Sequence, residues 1–278
     1  MLDATRPMEE GFRRPVTVSY LVCATPRSGS TLLCETLAQT GVAGNPLEFF
    51  EALPETGVPR RPVDYLAGCG DPQALGLVER APAHDAPWYS DLRGIAGYAE
   101  HLENVRRWGT TPNSVFGAKI MWAHLVDLGR QVGADDLHEL VDALFDRPRF
   151  VWVRRRDTVR QAVSLWRAMQ TQSWRAENEP GAGEPQYSFA ALRHLVDLLV
   201  SHDAAWQRFF DRSGRVLTLT YEDIAADPRA ALRRTLEHIG VAAADEDLDA
   251  LPRMRRQADE RSDAWAAAYA RDAVLTAR

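Results

Sequence analysis

Residues 16–33, "VTVSYLVCATPRSGSTLL", decide the fold. Val16 to Ala24 is apolar and rich in β-branched residues, which predicts a buried central strand. From Ser30 to Thr40 apolar residues recur at helical spacing, and Gly41 is a suitable helix stop. A strand, a short glycine-bearing loop and a helix N-terminus aim several backbone N–H groups at one point. The sequence therefore predicts an anion site in the loop between them.

The loop departs from the pattern that grips a nucleoside triphosphate, which is Gly, four residues, Gly, Lys and then Ser or Thr. Ala24 stands in the place of the first glycine and Ser30 in the place of the lysine. Arg27 offers a fork of donors, and Ser28, Ser30 and Thr31 offer hydroxyls. This set suits a single 5′-phosphate that carries another group. The alternative is a serine-rich turn with an incidental arginine.

Further along the chain, apolar strands alternate with helices. Strands are predicted at 114–122, 149–153 and 214–221, and helices at 95–109, 125–132, 136–145, 154–172, 189–210, 222–241 and 262–275. Strands separated by helices indicate parallel pairing. We therefore predict an α/β fold: a single P-loop-like domain over residues 1–278, with a central parallel β-sheet flanked by helices on both faces. Residues 1–15 are expected to be flexible, and the Glu/Pro/Gly-rich residues 177–185 to form a surface loop or substrate lid.

Composition narrows the function classes. The chain has 278 residues, 45% of them hydrophobic and 26% charged, with a net charge of -6, which is typical of a globular protein and argues against nucleic-acid binding. No apolar run approaches the ~20 residues of a membrane span, so we expect a protein that is not membrane-embedded and lies in the cytoplasm. Cys23, Cys34 and Cys69 match neither a zinc site nor a redox pair. We expect buried free thiols and no metal site.

Two motifs together resemble the sulfotransferases that use 3′-phosphoadenosine 5′-phosphosulfate (PAPS). Residues 26–31, "PRSGST", resemble the loop that cradles the 5′-phosphosulfate in that family, and residues 153–164, "VRRRDTVRQAVS", resemble the element that holds the 3′-phosphate. Arg156 and Ser164 have the family's spacing, and Arg155 is the alternative if the register shifts by one. Adjacent arginines at a helix N-terminus form an anion pocket on physical grounds alone, although a solvated basic patch is the other interpretation.

A third stretch, "RQADERSDAW" at 256–265, is similar to the loop that closes over the 3′-phosphate in this family. The resemblance thus implies PAPS as the sulfate donor and the following donor-binding residues: Pro26, Arg27, Ser28, Gly29, Ser30, Thr31, Arg155, Arg156, Ser164, Arg256 and Arg261.

Within the superfamily, four stretches in order resemble the bacterial trehalose 2-sulfotransferase group. They are residues 20–50, "GAKIMW" at 117–122, "QAVSLWRA" at 161–168 and "RQADERSDAW" at 256–265. The resemblance implies transfer of a sulfuryl group to a sugar hydroxyl, with the 2-position of trehalose as the leading acceptor, and it implies a homodimer.

Sulfuryl transfer needs a group to take the proton of the acceptor hydroxyl, and positive charge near the moving sulfonate. Cytosolic sulfotransferases have a histidine where this chain has Met121. The trehalose group uses the glutamate of a Pro-x-Glu-Phe-Phe stretch, and "PLEFF" places Glu48 there. The alternative role for Glu48 is an acid at a helix N-terminus. Arg27 and Lys119 are the expected catalytic cations.

The acceptor side is less closely matched. The resemblance implies that Asn45, Glu48 and Phe50 bind the sugar, but Leu47 stands where the trehalose group has a polar residue. A glycolipid or another sugar-bearing metabolite therefore stays open as acceptor. His124 is interpreted as an ordinary, partly buried histidine. The alternative function classes are a P-loop kinase or NTPase and a non-catalytic nucleotide-binding module.

Overall fold

Four parallel strands form a sheet in the order β2-β1-β3-β4. The computed structural model describes residues 15–51, 60–82, 98–174, 184–242 and 260–276, with only the backbone at 98–100. The strands are β1 (Val18–Ala24), β2 (Val115–Met121), β3 (Arg149–Arg154) and β4 (Val216–Thr220). The predicted parallel α/β architecture is confirmed.

Helices join these strands and continue to the end of the described chain. They are α1 (Ser30–Gln39), α2 (Pro72–Gly76), α3 (Tyr98–Gly109), α4 (Trp122–Val132), α5 (Leu137–Phe145), α6 (Thr158–Thr171), α7 (Phe189–Phe210), α8 (Tyr221–Ala226), α9 (Pro228–Ile239) and α10 (Glu260–Thr276), with a 3₁₀ helix at Pro62–Leu66.

The largest boundary error falls at α6, which was predicted to begin at residue 154. Arg154 still belongs to β3, and α6 begins at Thr158 because the Asp157 side chain accepts a hydrogen bond from the backbone N–H of Arg160. Such a cap fixes where a helix starts. The three residues between strand and helix include two arginines, and they lie at the edge of the sheet.

The core covers both faces of the sheet, as its apolar strands predict. Leu21 and Cys23 of β1 belong to the cluster on one face, together with Trp206 of α7. Val22 belongs to the cluster on the other face, together with Leu37 of α1. All three cysteines of the chain are buried free thiols, as expected.

The strand order determines where a ligand can bind. The chain leaves β1 for β2 on one side and then crosses to β3 on the other side, which makes the boundary between β1 and β3 a topological switch point. Ligands of open α/β sheets bind at the carboxyl ends of the strands at such a point. Ala24 pairs with Met121 on one side and with Val153 on the other, so the three strands end at the same level.

Three predictions fall on residues 1–14, 52–59, 83–97, 175–183, 243–259 and 277–278, which lie outside the described residues. They are the flexible N-terminus at 1–15, almost all of the loop at 177–185, and the donor contact of Arg256. Of the described helices, none has the length and apolar character needed to cross a membrane.

Candidate active site

The loop between β1 and α1 has two residues with left-handed backbone. Arg27 has φ 63° and Gly29 has φ 87°. A Cβ atom at Gly29 would lie 2.8 Å from Cδ2 of Tyr221, which is closer than real Cβ contacts allow. Gly29 is therefore required both by its backbone angle and by the ring beside it.

Gln161 of α6 holds this loop from below. Its buried amide donates to Oγ1 of Thr25 at 2.9 Å and to the carbonyl oxygen of Pro26 at 2.7 Å. Thr25 Oγ1 in turn donates to Asp203 of α7 at 3.4 Å. The loop is thus fixed to two helices by side-chain hydrogen bonds.

The N-terminus of α1 has no side-chain cap, since its N-cap residue is Gly29. By contrast, Asp157 and Asp227 cap α6 and α9 with their carboxylates. Ser28, which precedes the N-cap residue Gly29, is 0% exposed, and its Oγ has no hydrogen-bond partner among the described residues. A buried hydroxyl without a partner is costly. Together with the uncapped N–H groups of α1, it fits a bound anion.

Arg27 joins the two predicted anion clusters directly. Its Nε donates to Oγ of Ser164 on α6 at 3.0 Å, and its Nη1 donates to the carbonyl oxygen of Trp174 at 2.5 Å. Arg155, after β3, reaches the carbonyl oxygen of Arg27 at 3.5 Å. The loop after β1 and the start of α6 therefore form one continuous surface.

Burial, together with the positive charge of Arg155, lowers the pKa of Arg27 to about 10. Burial also lowers the pKa of Arg155. Both guanidinium groups stay charged at neutral pH. Two partly buried cations so close together are stabilised by a nearby anion, so the electrostatics also indicate an anion site.

The structure separates the roles of Arg155 and Arg156. Arg155 lies over the ring of Tyr221 at 4.6 Å and faces the loop. Arg156 turns outward, where its guanidinium pairs with Asp223 at 2.7 Å on the exposed side of α8. The family spacing favoured Arg156, but Arg155 is the arginine that lies beside Arg27.

Glu48 and Lys119 form an ion pair at the same edge of the sheet. Lys119 Nζ lies 2.5 Å from Oε2 of Glu48 and donates to Oγ1 of Thr31 at 3.0 Å. The backbone N–H of Lys119 donates to the carbonyl oxygen of Leu47 at 2.9 Å, which fastens the segment before Glu48 to β2. Glu48 is therefore joined to the anion loop through one lysine.

Lys119 is 5% exposed, while the side chain of Glu48 is 21% exposed. Burial alone would lower the pKa of Lys119, but the negative charge of Glu48 outweighs this effect, and the pKa is raised. Lys119 is therefore a permanent buried cation between the carboxylate and the loop.

A cavity of about 250 Å³ lies next to this pair. His124 of α4 lines it, and its Nδ1 lies 3.9 Å from Oε1 of Glu48. The other lining residues are Pro26, Arg60, Asp64, Tyr65, Ala67, Met121, Ala123, His194, Leu198 and His202. Because it lies between the anion loop and the carboxylate's neighbour, the cavity is the candidate acceptor site.

Four predicted site residues make contacts within the protein rather than with the anion loop or the Glu48–Lys119 pair. Asn45 uses its amide to donate to the carbonyl oxygen of Trp108 at 3.0 Å, and Phe50 is buried in the core against Phe145. Arg261, at the start of α10, pairs with Glu184 on the surface. The fourth, Arg156, faces solvent as described above. Their predicted ligand contacts stay predictions.

Sequence reasoning missed several residues that build the site. Gln161 was detectable, since it precedes Ser164 by one helical turn and so shares its face. Tyr221, His202 and Tyr65 carried no signal, because they come from segments far apart in the chain that only the tertiary fold brings to the site.

Comparison with known proteins identifies the family of this chain. The sequence model of the family described as Stf0 sulphotransferase matches residues 19–272. The trehalose 2-sulfotransferase of Mycobacterium tuberculosis (strain ATCC 35801 / TMC 107 / Erdman) is 36% identical over 263 residues, which cover 91% of this chain and 95% of that protein. The trehalose 2-sulfotransferase of Mycolicibacterium smegmatis (strain ATCC 700084 / mc(2)155) is 34% identical over 264 residues, 92% of this chain and 95% of that protein.

Solved structures are similar at lower identity. The sulfotransferase domain from the curacin biosynthetic pathway is 15% identical with a TM-score of 0.48, covering 90% of this chain and 83% of that chain. A sulfotransferase from Alicyclobacillus acidocaldarius is 14% identical with a TM-score of 0.43, covering 94% and 93%. Because these TM-scores are below 0.5, we draw no conclusion from them. The sulfotransferase family is established by the family match, and the α/β fold by the sheet described above.

Proposed function

The chain belongs to the Stf0 sulphotransferase family, and on that premise we propose that it transfers a sulfuryl group from PAPS to the 2-hydroxyl of trehalose, with Glu48 as the base. The protein is a sulfotransferase, which sets aside the kinase and binding-module interpretations. The observation that carries the finer proposal is the chain of contacts from Ser164 through Arg27 and the loop to Thr31, Lys119 and Glu48.

The donor site fits PAPS by the chemistry of its residues. The uncapped start of α1, the buried hydroxyl of Ser28 and the side chain of Arg27 would hold the 5′-phosphosulfate. Arg155 and Ser164 would hold the 3′-phosphate, as a guanidinium and a hydroxyl on adjacent elements can. When bound, PAPS supplies the sulfuryl group and leaves as adenosine 3′,5′-bisphosphate.

The residues around the acceptor divide the remaining work. Lys119 fixes one oxygen of the Glu48 carboxylate, and the other lies 3.9 Å from Nδ1 of His124, which lines the cavity. Glu48 accepts the proton of the acceptor hydroxyl as the new sulfur–oxygen bond forms. Arg27 and Lys119 stabilise the negative charge that develops on the sulfonate oxygens.

The cavity suits an uncharged, hydroxyl-rich acceptor. Arg60 on its wall pairs with Asp127, and Asp64 pairs with Arg61 at 3.8 Å. Burial lowers the pKa of His124 to about 3, so its ring is neutral at physiological pH. Walls whose charges are paired within the protein favour a neutral polyol such as a disaccharide over an anionic acceptor.

Leu47 is apolar where the trehalose group has a polar residue, but it can still position Glu48. Its side chain packs against the core cluster on one face of the sheet, and its backbone pairs with β2 at Ala118. The residue therefore positions Glu48 through the backbone. Contacts to the sugar would come from the cavity walls instead, and the acceptor is proposed as trehalose because both relatives are named for it.

Mass spectrometry of products tests the proposal. Purified protein is incubated with PAPS and, separately, with trehalose, glucose and a trehalose-containing glycolipid. We expect a mass gain of one sulfonate group on trehalose and none on glucose. Sulfation of the glycolipid alone would replace trehalose as the acceptor, and transfer to none of the three would overturn the proposed acceptor class.

Two further features are proposals on the same footing. A homodimer is proposed because the resembled group forms dimers, and gel filtration with light scattering measures it directly. A cytoplasmic location is proposed from the three buried free thiols, which suit a reducing compartment.

A further inference from the structure

We propose that His124 positions the attacking hydroxyl together with Glu48. The hydroxyl would form one hydrogen bond to the imidazole of His124 and one to the carboxylate of Glu48. The inference rests on the proposed function and adds to it a residue to which the sequence patterns assign no role. Its basis is an unsatisfied ring nitrogen and a gap of defined width.

The ring nitrogen is buried and aimed at the base. His124 is 2% exposed, and its Nδ1 has no hydrogen-bond partner among the described residues. At 3.9 Å from Oε1 of Glu48, it is too far for a direct hydrogen bond. A buried polar atom without a partner costs stability, so such an atom facing a carboxylate next to a cavity indicates a ligand contact.

The gap has the right width for one hydroxyl oxygen. An oxygen about 2.8 Å from both atoms would span 3.9 Å with an angle of about 90° between the two bonds. The hydroxyl would donate its proton to Glu48 and accept one hydrogen bond from the Nδ1–H of His124. Its remaining lone pair is then oriented for attack, which is the contribution of a positioning residue.

The protonation state of His124 supports this role. Burial lowers the pKa of its ring to about 3, a net value in which the charge of Glu51 opposes the effect and those of Arg60 and Lys119 add to it. A neutral imidazole carries one donor and one acceptor, so it can donate to the hydroxyl without competing with Glu48 for the proton.

The environment of His124 makes the hydroxyl accessible. His124 lies in the first turn of α4, directly after β2, and lines the 250 Å³ cavity whose wall also includes Pro26 of the anion loop. A sugar in this cavity would thus meet Pro26 of the loop on one side and His124, the neighbour of Glu48, on another.

Two substitutions at position 124 test the inference. His124→Asn keeps an N–H donor close to the place of Nδ1, and His124→Leu removes it with a side chain of similar bulk. We expect the leucine variant to lose about 100-fold in kcat with trehalose, and the asparagine variant to stay within about 10-fold of wild type. The KM for PAPS should not change in either.

A control and an equilibrium readout separate positioning from folding. His238 of α9 is a partly buried histidine whose Nε2 also has no partner among the described residues, but its carbonyl contacts Arg149 at the opposite edge of the sheet. His238→Leu should leave kcat unchanged. Thermal stabilisation by adenosine 3′,5′-bisphosphate should be the same in wild type and in both His124 variants.

The possible results distinguish the role of His124 from the proposed function. A leucine variant with wild-type kcat, or an asparagine variant as slow as the leucine variant, would overturn the role of His124 while leaving the proposed function intact. Loss of bisphosphate binding in both variants would show a structural role instead. If wild-type protein sulfated no sugar, the proposed function would fail first, and this inference with it.

Discussion

At the scale of single residues, the central feature is a carboxylate held in place by a buried lysine. Lys119 contacts Oε2 of Glu48, and the other oxygen lies 3.9 Å from Nδ1 of His124. A carboxylate with one oxygen fixed is pre-oriented for its task, although the neighbouring cation makes it a weaker base. In the proposed reaction it can still accept the proton of a sugar hydroxyl, because the hydroxyl becomes more acidic as its oxygen bonds to sulfur.

Replacing Glu48 by Gln should lower kcat by about 10²- to 10⁴-fold, since the amide keeps the shape of the side chain but cannot accept the proton. Donor binding should persist, as measured by thermal shift with adenosine 3′,5′-bisphosphate. Glu139→Gln on the exposed face of α5 is the matched control and should not change kcat. Full turnover by the Glu48→Gln protein would assign the base to another group.

At the scale of elements, the site depends on one tight turn between β1 and α1. Gly29 is required there twice, by φ 87° and by the ring of Tyr221. Gly41, after the same helix, has φ 67° but no atom within 4 Å of an added Cβ. Alanine substitutions at Gly29 and Gly41 therefore distinguish the cost of backbone strain, which both share, from that of steric conflict, which only Gly29 has.

Gly41→Ala should cost about 1–2 kcal/mol of unfolding free energy from its backbone angle. Gly29→Ala should cost about 2–4 kcal/mol, because the clash with Tyr221 adds to the same strain. Only Gly29→Ala should also weaken binding of adenosine 3′,5′-bisphosphate. Denaturant unfolding and calorimetric titration measure the two effects, and equal losses in both variants would contradict the role given to Tyr221.

The elements were mostly predictable from sequence, and the site only partly. Residues 189–210 were predicted as a helix and form α7 at those bounds, because their apolar spacing is long and regular. The strand–loop–helix at 18–39 was also predictable, since loop chemistry and periodicity agree there. Trp122, however, was assigned to a strand although it begins α4, because a run of apolar residues does not mark its own end.

The site escaped prediction where it depends on tertiary contacts. Spacing within one segment identified Arg27 and Ser164, but nothing local to residues 154–156 shows that Arg156 turns outward to Asp223 while Arg155 turns inward over Tyr221. Likewise, the proximity of His124 to Glu48 arises from the backbone pairing of Leu47 with β2, which brings two distant segments together.

At the scale of the whole molecule, buried histidines should make stability depend on pH. Burial lowers the pKa of His124 to about 3 and that of His202 to about 4, so both stay neutral in the folded protein well below the ordinary value of 6.5. The unfolded chain takes up these protons as the pH falls below 6.5. Folding is thus increasingly disfavoured toward pH 4, and neither group contributes above pH 6.5.

His124→Asn should reduce this acid sensitivity, because the amide does not titrate. Between about pH 6.5 and about pH 5, wild type should lose about 2 kcal/mol more unfolding free energy than the variant. Denaturant unfolding at both pH values measures the difference. If the two proteins lose the same free energy, His124 is not held neutral by the fold.

The switch point between β1 and β3 brings the loop of Arg27 and the arginines after β3 to one edge of the sheet. The proposed function requires that both ends of one nucleotide are bound there. Family membership establishes the reaction class, while the joint grip on a 5′- and a 3′-substituent is the claim that the geometry adds.

Calorimetric titration with adenosine 3′,5′-bisphosphate and with adenosine 5′-monophosphate tests that claim most directly. Wild type should bind the bisphosphate about 10- to 100-fold more tightly, because charged groups contact the 3′-phosphate. Arg155→Ala should abolish the preference, and Arg156→Ala should keep it. Equal affinity of wild type for the two nucleotides would contradict the account.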